Sequence, residues 1–313
     1  MFIFYKLVYR YKINSLFYEF SESDHTASLF YLVFALLLVF FNWGIESYKW
    51  QRLILKYEKL SFKSAFKAVL SGVSLSIITP NQIGDFAGRV IHLQVLNKIK
   101  GSLVTVIGHT AQVLVTCFFG LFAVWHLLLR SDAGILAVHK ININTGLVNF
   151  DAGYGHYFIP VFFIFLSLLA VWLYLNLQYV YIYLRRFHWV IKFEKYIEVF
   201  GAYKSKELSI ILFISFLRYL VFLLQYYLLL LFFDVHIQFL TAISCIVATF
   251  CIQSMVPSFF LLEIGLRGAS ALWFFGMFST HTSGILMAAY SLWIINMMMP
   301  ALLGMWFIYK VRS

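Results

Sequence analysis

Two pairs of residues in this sequence have the type and spacing to do chemistry. Asp85 is followed four residues on by Arg89, and Glu263 by Arg267. In a helix that spacing places acid and base on one face, one turn apart, where they bridge. A proline precedes each pair, Pro80 before the first and Pro257 before the second. A proline breaks a helix, because it lacks the N–H that would continue the ladder. The half-helix that restarts after the break has free N–H groups that favour an anion, and the arginine fork suits a phosphate. Together these form a site for a phosphate head group. The acids then hold the arginines, accept an amine of the substrate, or carry a proton. A plainer reading stays open, in which each bridge only lowers the cost of charge in an apolar setting.

Other polar residues lie in apolar runs. Arg218 has no counterpart in the other half of the chain and needs a partner, for which Glu263 or Asp85 is expected. His109 and Asn296 are weaker candidates, because a lone polar residue within a span more often joins helices than binds a ligand. His92 falls near the cytoplasmic end of its half-helix. Gly84, Gly88, Gly265 and Gly268 are expected mainly to let helices approach closely, with close approach to a ligand the alternative. Cys117, Cys245 and Cys251 lack metal-ligand spacing with histidine and read as small buried hydrophobes. Nucleophile-elbow, zinc-protease, phosphate-loop and Cys-x-x-Cys patterns are missing from the sequence, so neither a catalytic residue, a metal nor a cofactor is expected.

The elements that must position these residues follow from composition. Of 313 residues, 62% are hydrophobic and 12% charged, and the mean hydropathy is +0.86. A soluble domain has roughly 45–50% apolar residues, and a soluble chain of this length has too few buried positions for so many. That excludes a soluble enzyme, a secreted disulfide scaffold and a disordered chain. An all-α polytopic membrane protein remains. Its net charge of +11 points to cytoplasmic loops and anionic lipid head groups, not to nucleic acid. The N-terminus lacks the apolar stretch and small-residue site of a signal peptide.

Segments 28–46, 102–129, 156–184, 207–233 and 284–309 are long enough to span. Segments 64–79, 84–97, 238–256 and 260–278 are short or interrupted, and meet pairwise at the breaks Thr79–Asp85 and Val256–Glu263. The basic stretches Lys49–Lys67, Lys98–Lys100, Arg185–Lys206 and Lys310–Arg312 are expected on the cytoplasmic side, and the C-terminus with them. Both broken segments then enter and return from one side, so they read as re-entrant hairpins of opposite sidedness. Residues 1–27, with Lys6, Arg10 and Lys12, read as an interfacial helix. Residues 187–200 read as another, with Trp189, Phe193, Tyr196, Ile197 and Phe200 on one face.

The acids are separated by 178 positions, and so are the arginines. The chain therefore reads as span–hairpin–span, a linker span, and span–hairpin–span inverted, about five full spans plus two hairpins. The divisions are an interfacial segment 1–27, a first repeat 28–129, a linker 130–206 and a second repeat 207–313. Inverted repeats with broken helices meeting near the midplane mark secondary transporters.

Asn42-Trp43…Lys49-Trp50 and Ile78-Thr79-Pro80-x-x-Ile83-Gly84-Asp85-x-x-x-Arg89 resemble the flippase-like membrane domain of lysylphosphatidylglycerol synthases, a domain that also occurs alone. Asp85 stands where that family has glutamate, and Arg89 is shifted by one position. Ser254-x-x-Pro257…Glu263 is similar to a second family segment, with Ser258 and Phe259 in place of its glycines. The resemblance implies movement of a lipid or lipid-linked molecule between leaflets, in a chain without a lysyl-transfer domain. The expected function is a flippase of a bacterial-type inner membrane, binding an anionic or aminoacylated lipid at Asp85, Arg89, Arg218, Glu263 and Arg267. Thr79, Pro80, Gly84, Pro257 and Gly265 would form the hairpin breaks. Two alternatives stay open: a non-catalytic subunit of a lipid- or glycan-modifying enzyme, or a lipid-modifying enzyme using Asp85 or Glu263. A homo-oligomer is also compatible.

Overall fold

The computed structural model describes residues 29–79, 82–130, 152–256 and 260–312. Pro80, Pro257 and the expected interfacial segment 1–27 lie outside the described residues, which contain helices and no strand. Helix α1 (Leu29–Ile54) leads to a pair of short helices, α2 (Phe62–Ile78) and α3 (Gly84–Val90), and then to the long α4 (Lys98–Arg130). Next come α5 (Ala152–Leu175), α6 (Leu177–Leu184), α7 (His188–Ile191) and α8 (Glu194–Gly201). The second half repeats the pattern of the first: α9 (Ser205–Phe232), the short α10 (Phe239–Met255) and α11 (Phe260–Phe275), then α12 (Thr282–Trp293) and α13 (Met299–Arg312). Four helices or continuous helical stretches are long and apolar enough to cross a membrane, and the α5–α6 pair makes a fifth.

Local chemistry explains the boundaries. The Ser61 hydroxyl caps α2 by accepting the N–H of Ser64. At the other end, Thr79 is extended (φ −108°, ψ 144°), and Val256 after α10 is extended too (φ −92°, ψ 112°). Both precede a proline, whose ring clashes with a helical residue before it. α2 and α10 each have 17 residues. Between α12 and α13 lies a π-helical turn, Ile294–Met298. Pro300 lacks the N–H that would reach the Asn296 carbonyl, and the wider turn absorbs that loss.

α1 and α9 form an antiparallel central pair. Gln225 Nε2 donates to the Ala35 carbonyl at one end, and Tyr203 Oη to the Leu53 carbonyl at the other. α2 and α3 fold back on each other, with Gly88 against Ser71 and Gly72. α10 and α11 do likewise, with Gln253 bonded to Ser270. Each pair then packs on the long helix of the other half. The Ser74 hydroxyl on α2 donates to the Ala301 carbonyl on α13 at 2.6 Å, and Gly304 lies against Leu70 and Ser74 so closely that a Cβ there would overlap them. On the other side, Gly120 of α4 takes the side chain of Cys251 on α10. Lipid is as apolar as these cores, so such close approach and interhelical hydrogen bonds hold the bundle together.

Two apolar clusters fill the bundle. One joins the N-terminal half of α1 to α10, α11 and α12; the other joins the C-terminal half of α1 to α2, α3 and α13. α4 and α9 contribute to both, and the polar residues His109, Gln112, Ser215 and Arg218 fall where the two clusters meet.

Three expectations change. The 156–184 segment is no straight span: α5 and α6 are bent by 80° at Asn176, whose side chain turns back to the Trp172 carbonyl. The first span does not end at Glu46; it runs on to Ile54 and buries Lys49, which is 1% exposed and so no loop charge. Residues 187–200 form two short helices instead of one. Val199 is the buried residue of α8, Phe193 is exposed, and the side chain of Trp189 lies outside the described residues.

Candidate functional site

The first acid–arginine turn is assembled as expected. Arg89 Nε sits 3.0 and 2.9 Å from the two Asp85 oxygens. Gly72 makes the room, since a Cβ there would collide with the Asp85 carboxylate and the Arg89 stem. Asp85 lies in the first turn of α3, where the helix dipole favours an acid. The N–H of Gly84 is taken by the Thr79 hydroxyl at 2.7 Å, so Thr79 and Gly84 close the break themselves.

At the centre stands Glu46, which sequence reasoning missed. Its Oε1 accepts Arg89 Nη1 at 2.9 Å; Oε2 lies 2.7 Å from Lys49 Nζ and 3.0 Å from Arg218 Nη1. It is 2% exposed. Arg218 therefore pairs with Glu46, not with Glu263 or Asp85. It also donates from Nε to Asn42 at 2.8 Å and lies 5.1 Å from the ring centres of both Trp43 and Phe222. Asn42 in turn donates to Asn296 at 2.8 Å, and Asn296 to the Leu292 carbonyl. Asn296 is thus the interhelical link expected of it. His109 is more than that, because its Nε2 is 2.6 Å from Asp85 Oδ2. His92 lies apart, bonded to Ser71.

The second turn is also formed. Arg267 Nη2 meets Glu263 at 2.5 Å, and Nη1 is 3.4 Å from the Gln253 amide oxygen. This pair is partly exposed, unlike the first. Gly268 packs against Tyr290, but nothing lies within 4 Å of a Cβ at Gly265, so that glycine is not needed for packing.

Arg89, Arg218 and Arg267 all line one cavity of about 230 Å³, together with Asp85, His109, Trp43 and Asn296. A second cavity of about 520 Å³ shares Gln82, Gln112, Phe222, Phe250 and Arg267 with it and runs on past Tyr219 and Ser254. Glu263 lines neither. Gln82, at the hairpin break, is in the left-handed region (φ 57°), an unusual conformation for a residue with a Cβ.

The charges do not cancel. Lys49, Arg89 and Arg218 face Glu46 and Asp85, which leaves one positive charge in surplus. Among the described residues, Nη2 of Arg89 and of Arg218 has no hydrogen bond, and Nε of Arg267 is buried without one. A cavity with surplus positive charge and spare guanidinium donors suits a single-charged phosphate ester. Among the described residues no three His, Cys, Asp or Glu side chains converge to hold a metal.

A family model described as lysylphosphatidylglycerol synthase TM region matches residues 3–304. No curated protein and no solved structure matches the chain.

Proposed function

The chain belongs to the lysylphosphatidylglycerol synthase TM-region family, and on that premise we propose that it moves a phospholipid or lipid-linked substrate between leaflets without changing it chemically. The family makes it an integral membrane protein concerned with lipid. The single observation that carries the finer reading is the cavity lined by Arg89, Arg218 and Arg267 with one positive charge in surplus. A phosphodiester head group neutralises that charge and takes up the spare donors. Its tails stay in lipid.

The reciprocal packing supports a transport cycle. α1 and α9 run antiparallel, and each short-helix pair leans on the long helix of the other half. In our reading these are inverted repeats, the short pairs are re-entrant, and the repeats rock about the charged centre to open it to one leaflet and then the other. The membrane is the bacterial-type inner membrane, with the C-terminus cytoplasmic.

The test is leaflet exchange of a head-group-labelled phosphatidylglycerol in liposomes holding the purified protein. Exchange should fall to the protein-free rate in Arg89→Ala with Arg267→Ala, while the variant still inserts and purifies as a folded species. Exchange at the wild-type rate in that variant overturns the assignment.

A further inference from the structure

The second cavity adjoins the first and differs from it in chemistry. Among the described residues that line it, Arg267 carries the only charge, and no carboxylate is present. The rest of its polar wall is neutral: the amides of Gln82, Gln112 and Gln253, the hydroxyls of Thr116 and Ser254, and the phenol of Tyr219. Thr116 Oγ1 donates to the Gln112 carbonyl and Ser254 Oγ to the Cys251 carbonyl, which leaves both oxygens as acceptors. Tyr219 is 2% exposed, and among the described residues its Oη has no hydrogen bond; nor has the buried Oε1 of Gln112. A buried polar atom without a partner costs free energy that a ligand hydroxyl recovers.

Aromatic rings complete the wall. Tyr219 is held in place, stacked on Phe119 at 5.9 Å and edge-on to Phe250 at 6.2 Å. Phe222 and Phe250 lie 6.2 Å apart at 74°. The negative face of such a ring suits the C–H groups of a sugar or cyclitol. An amine fits badly: an ammonium here has no carboxylate and stands near Arg267, whose like charge repels it. Size excludes the smallest polyols. At about 520 Å³ the cavity lies within the roughly 300–1,000 Å³ of small-ligand sites. Even at a water's share of roughly 30 Å³ for each heavy atom, a glycerol head fills less than half of it. A hexose or cyclitol ring has about twice as many heavy atoms and, by the same count, fills most of it.

We infer that the head group taken here is a phosphodiester bearing an uncharged ring polyol, a hexose or a cyclitol. This rests on the reading of the first cavity as a phosphate site. Arg267 belongs to both cavities, so the phosphate sits at their junction. The ring lies against Gln112, Tyr219, Phe222 and Phe250. The exposed Val113 and Met255 form an apolar rim, where the lipid arm leaves. Two kinds of lipid carry this head group, a glycerolipid such as phosphatidylinositol and a polyprenyl phosphohexose.

The experiment is calorimetric titration of short-chain lipids into the full chain in detergent. The probes are phosphatidylinositol, a polyprenyl phosphohexose, phosphatidylglycerol and lysyl-phosphatidylglycerol. The first three carry the same phosphodiester charge, so a difference among them reports on the rest of the molecule. In wild type the tighter of the two ring lipids should bind at least about tenfold better than phosphatidylglycerol, and its identity names the source. Lysyl-phosphatidylglycerol should bind at least about tenfold more weakly than phosphatidylglycerol. Tyr219→Phe and Gln112→Leu should each reduce the preference for the ring lipid over phosphatidylglycerol roughly 2–10-fold. Phosphatidylglycerol bound as tightly as both ring lipids, or lysyl-phosphatidylglycerol bound more tightly than phosphatidylglycerol, overturns the inference and leaves the phosphate site standing. A ring preference unchanged in both variants does the same. No heat of binding with any of the four lipids overturns the phosphate site and this inference together.

Discussion

Replacing Glu46 by glutamine keeps the shape of the charged centre and removes its anion. Three cations now touch that carboxylate at 2.7, 2.9 and 3.0 Å. At an effective dielectric near 20, one such contact at about 3 Å amounts to roughly 5 kcal/mol before desolvation is counted. Burial of Glu46 and Lys49 offsets most of that. What remains is the cost of stranding buried charge, about 3–5 kcal/mol when one partner of a buried pair is removed. Lys49 is the residue stranded most completely, since Arg89 keeps Asp85 and Arg218 keeps Asn42. At roughly 2–4 °C per kcal/mol for a chain of this order of size, Glu46→Gln should lower the melting temperature in detergent by roughly 6–20 °C. Adding Lys49→Met should restore more than half of that loss, because the stranded cation goes with its partner. The assay is thermal unfolding of purified protein followed by tryptophan fluorescence. A loss under about 2 °C for the single variant, or a double variant less stable than the single, refutes the reasoning. Glu263, less deeply buried and facing one cation instead of three, gives an internal comparison, and Glu263→Gln should cost less than Glu46→Gln.

Further outcomes follow from other contacts. Gly304→Ala should cost about 1–3 kcal/mol in the same assay, since its methyl would enter the Leu70 carbonyl and the Ser74 hydroxyl, whereas Gly265→Ala, with open space around it, should change stability by less than about 0.5 kcal/mol. Arg218→Lys should weaken phosphatidylglycerol binding roughly 5–100-fold in calorimetry, because an ammonium cannot bond Glu46 and Asn42 and also reach the ring faces of Trp43 and Phe222. Outside the membrane, slight burial would raise the pKa of Glu58, but the N–H groups of Gln94, Val95 and Leu96, each 3.0 Å from its oxygens, hold it below the ordinary value. Its ionised form therefore stabilises the turn after α3 above about pH 4.3, and that contribution fades as pH falls through the lower folded value. Hydrogen exchange at residues 94–96 should rise in acid for wild type and be pH-independent, beyond the intrinsic rate, for Glu58→Gln.

The acid–arginine turns could be read from the sequence because i,i+4 spacing is local, and so could the breaks, because proline acts on the residue before it. The centre could not. Glu46 and Lys49 were read as the end of a span and the start of a loop, since a span is bounded by its first charges; the local signal was their own i,i+3 spacing. Arg218 meets Asn42 176 positions away, and that meeting depends on the register of α1 against α9, which no periodicity reveals. The stretch Asn42-Trp43…Lys49-Trp50, noticed only as a resemblance, proves to be the wall around Arg218 and Glu46, with Trp50 anchored on Thr105. At Asn176 the apolar run continues through a bend, and hydropathy is blind to direction.

The exchange of partners between the two halves has a consequence for how the protein is made. Ser74 must wait for Ala301, a separation of 227 residues, before its hydroxyl finds the acceptor seen in the finished bundle. α2 and α3 leave the ribosome early, yet the surface that covers them is synthesised late. In the interval the half-built chain carries Asp85 and Arg89 without Arg218 and without the α13 face. A nascent chain in that condition has its polar hairpin open to whatever the insertion machinery offers, and Asp85 and Arg89 have only each other, Glu46 and His109 for company. Premature termination before α13 should therefore yield a species recognised for degradation and not a stable partial bundle, and two separately expressed halves should accumulate only when they are made together.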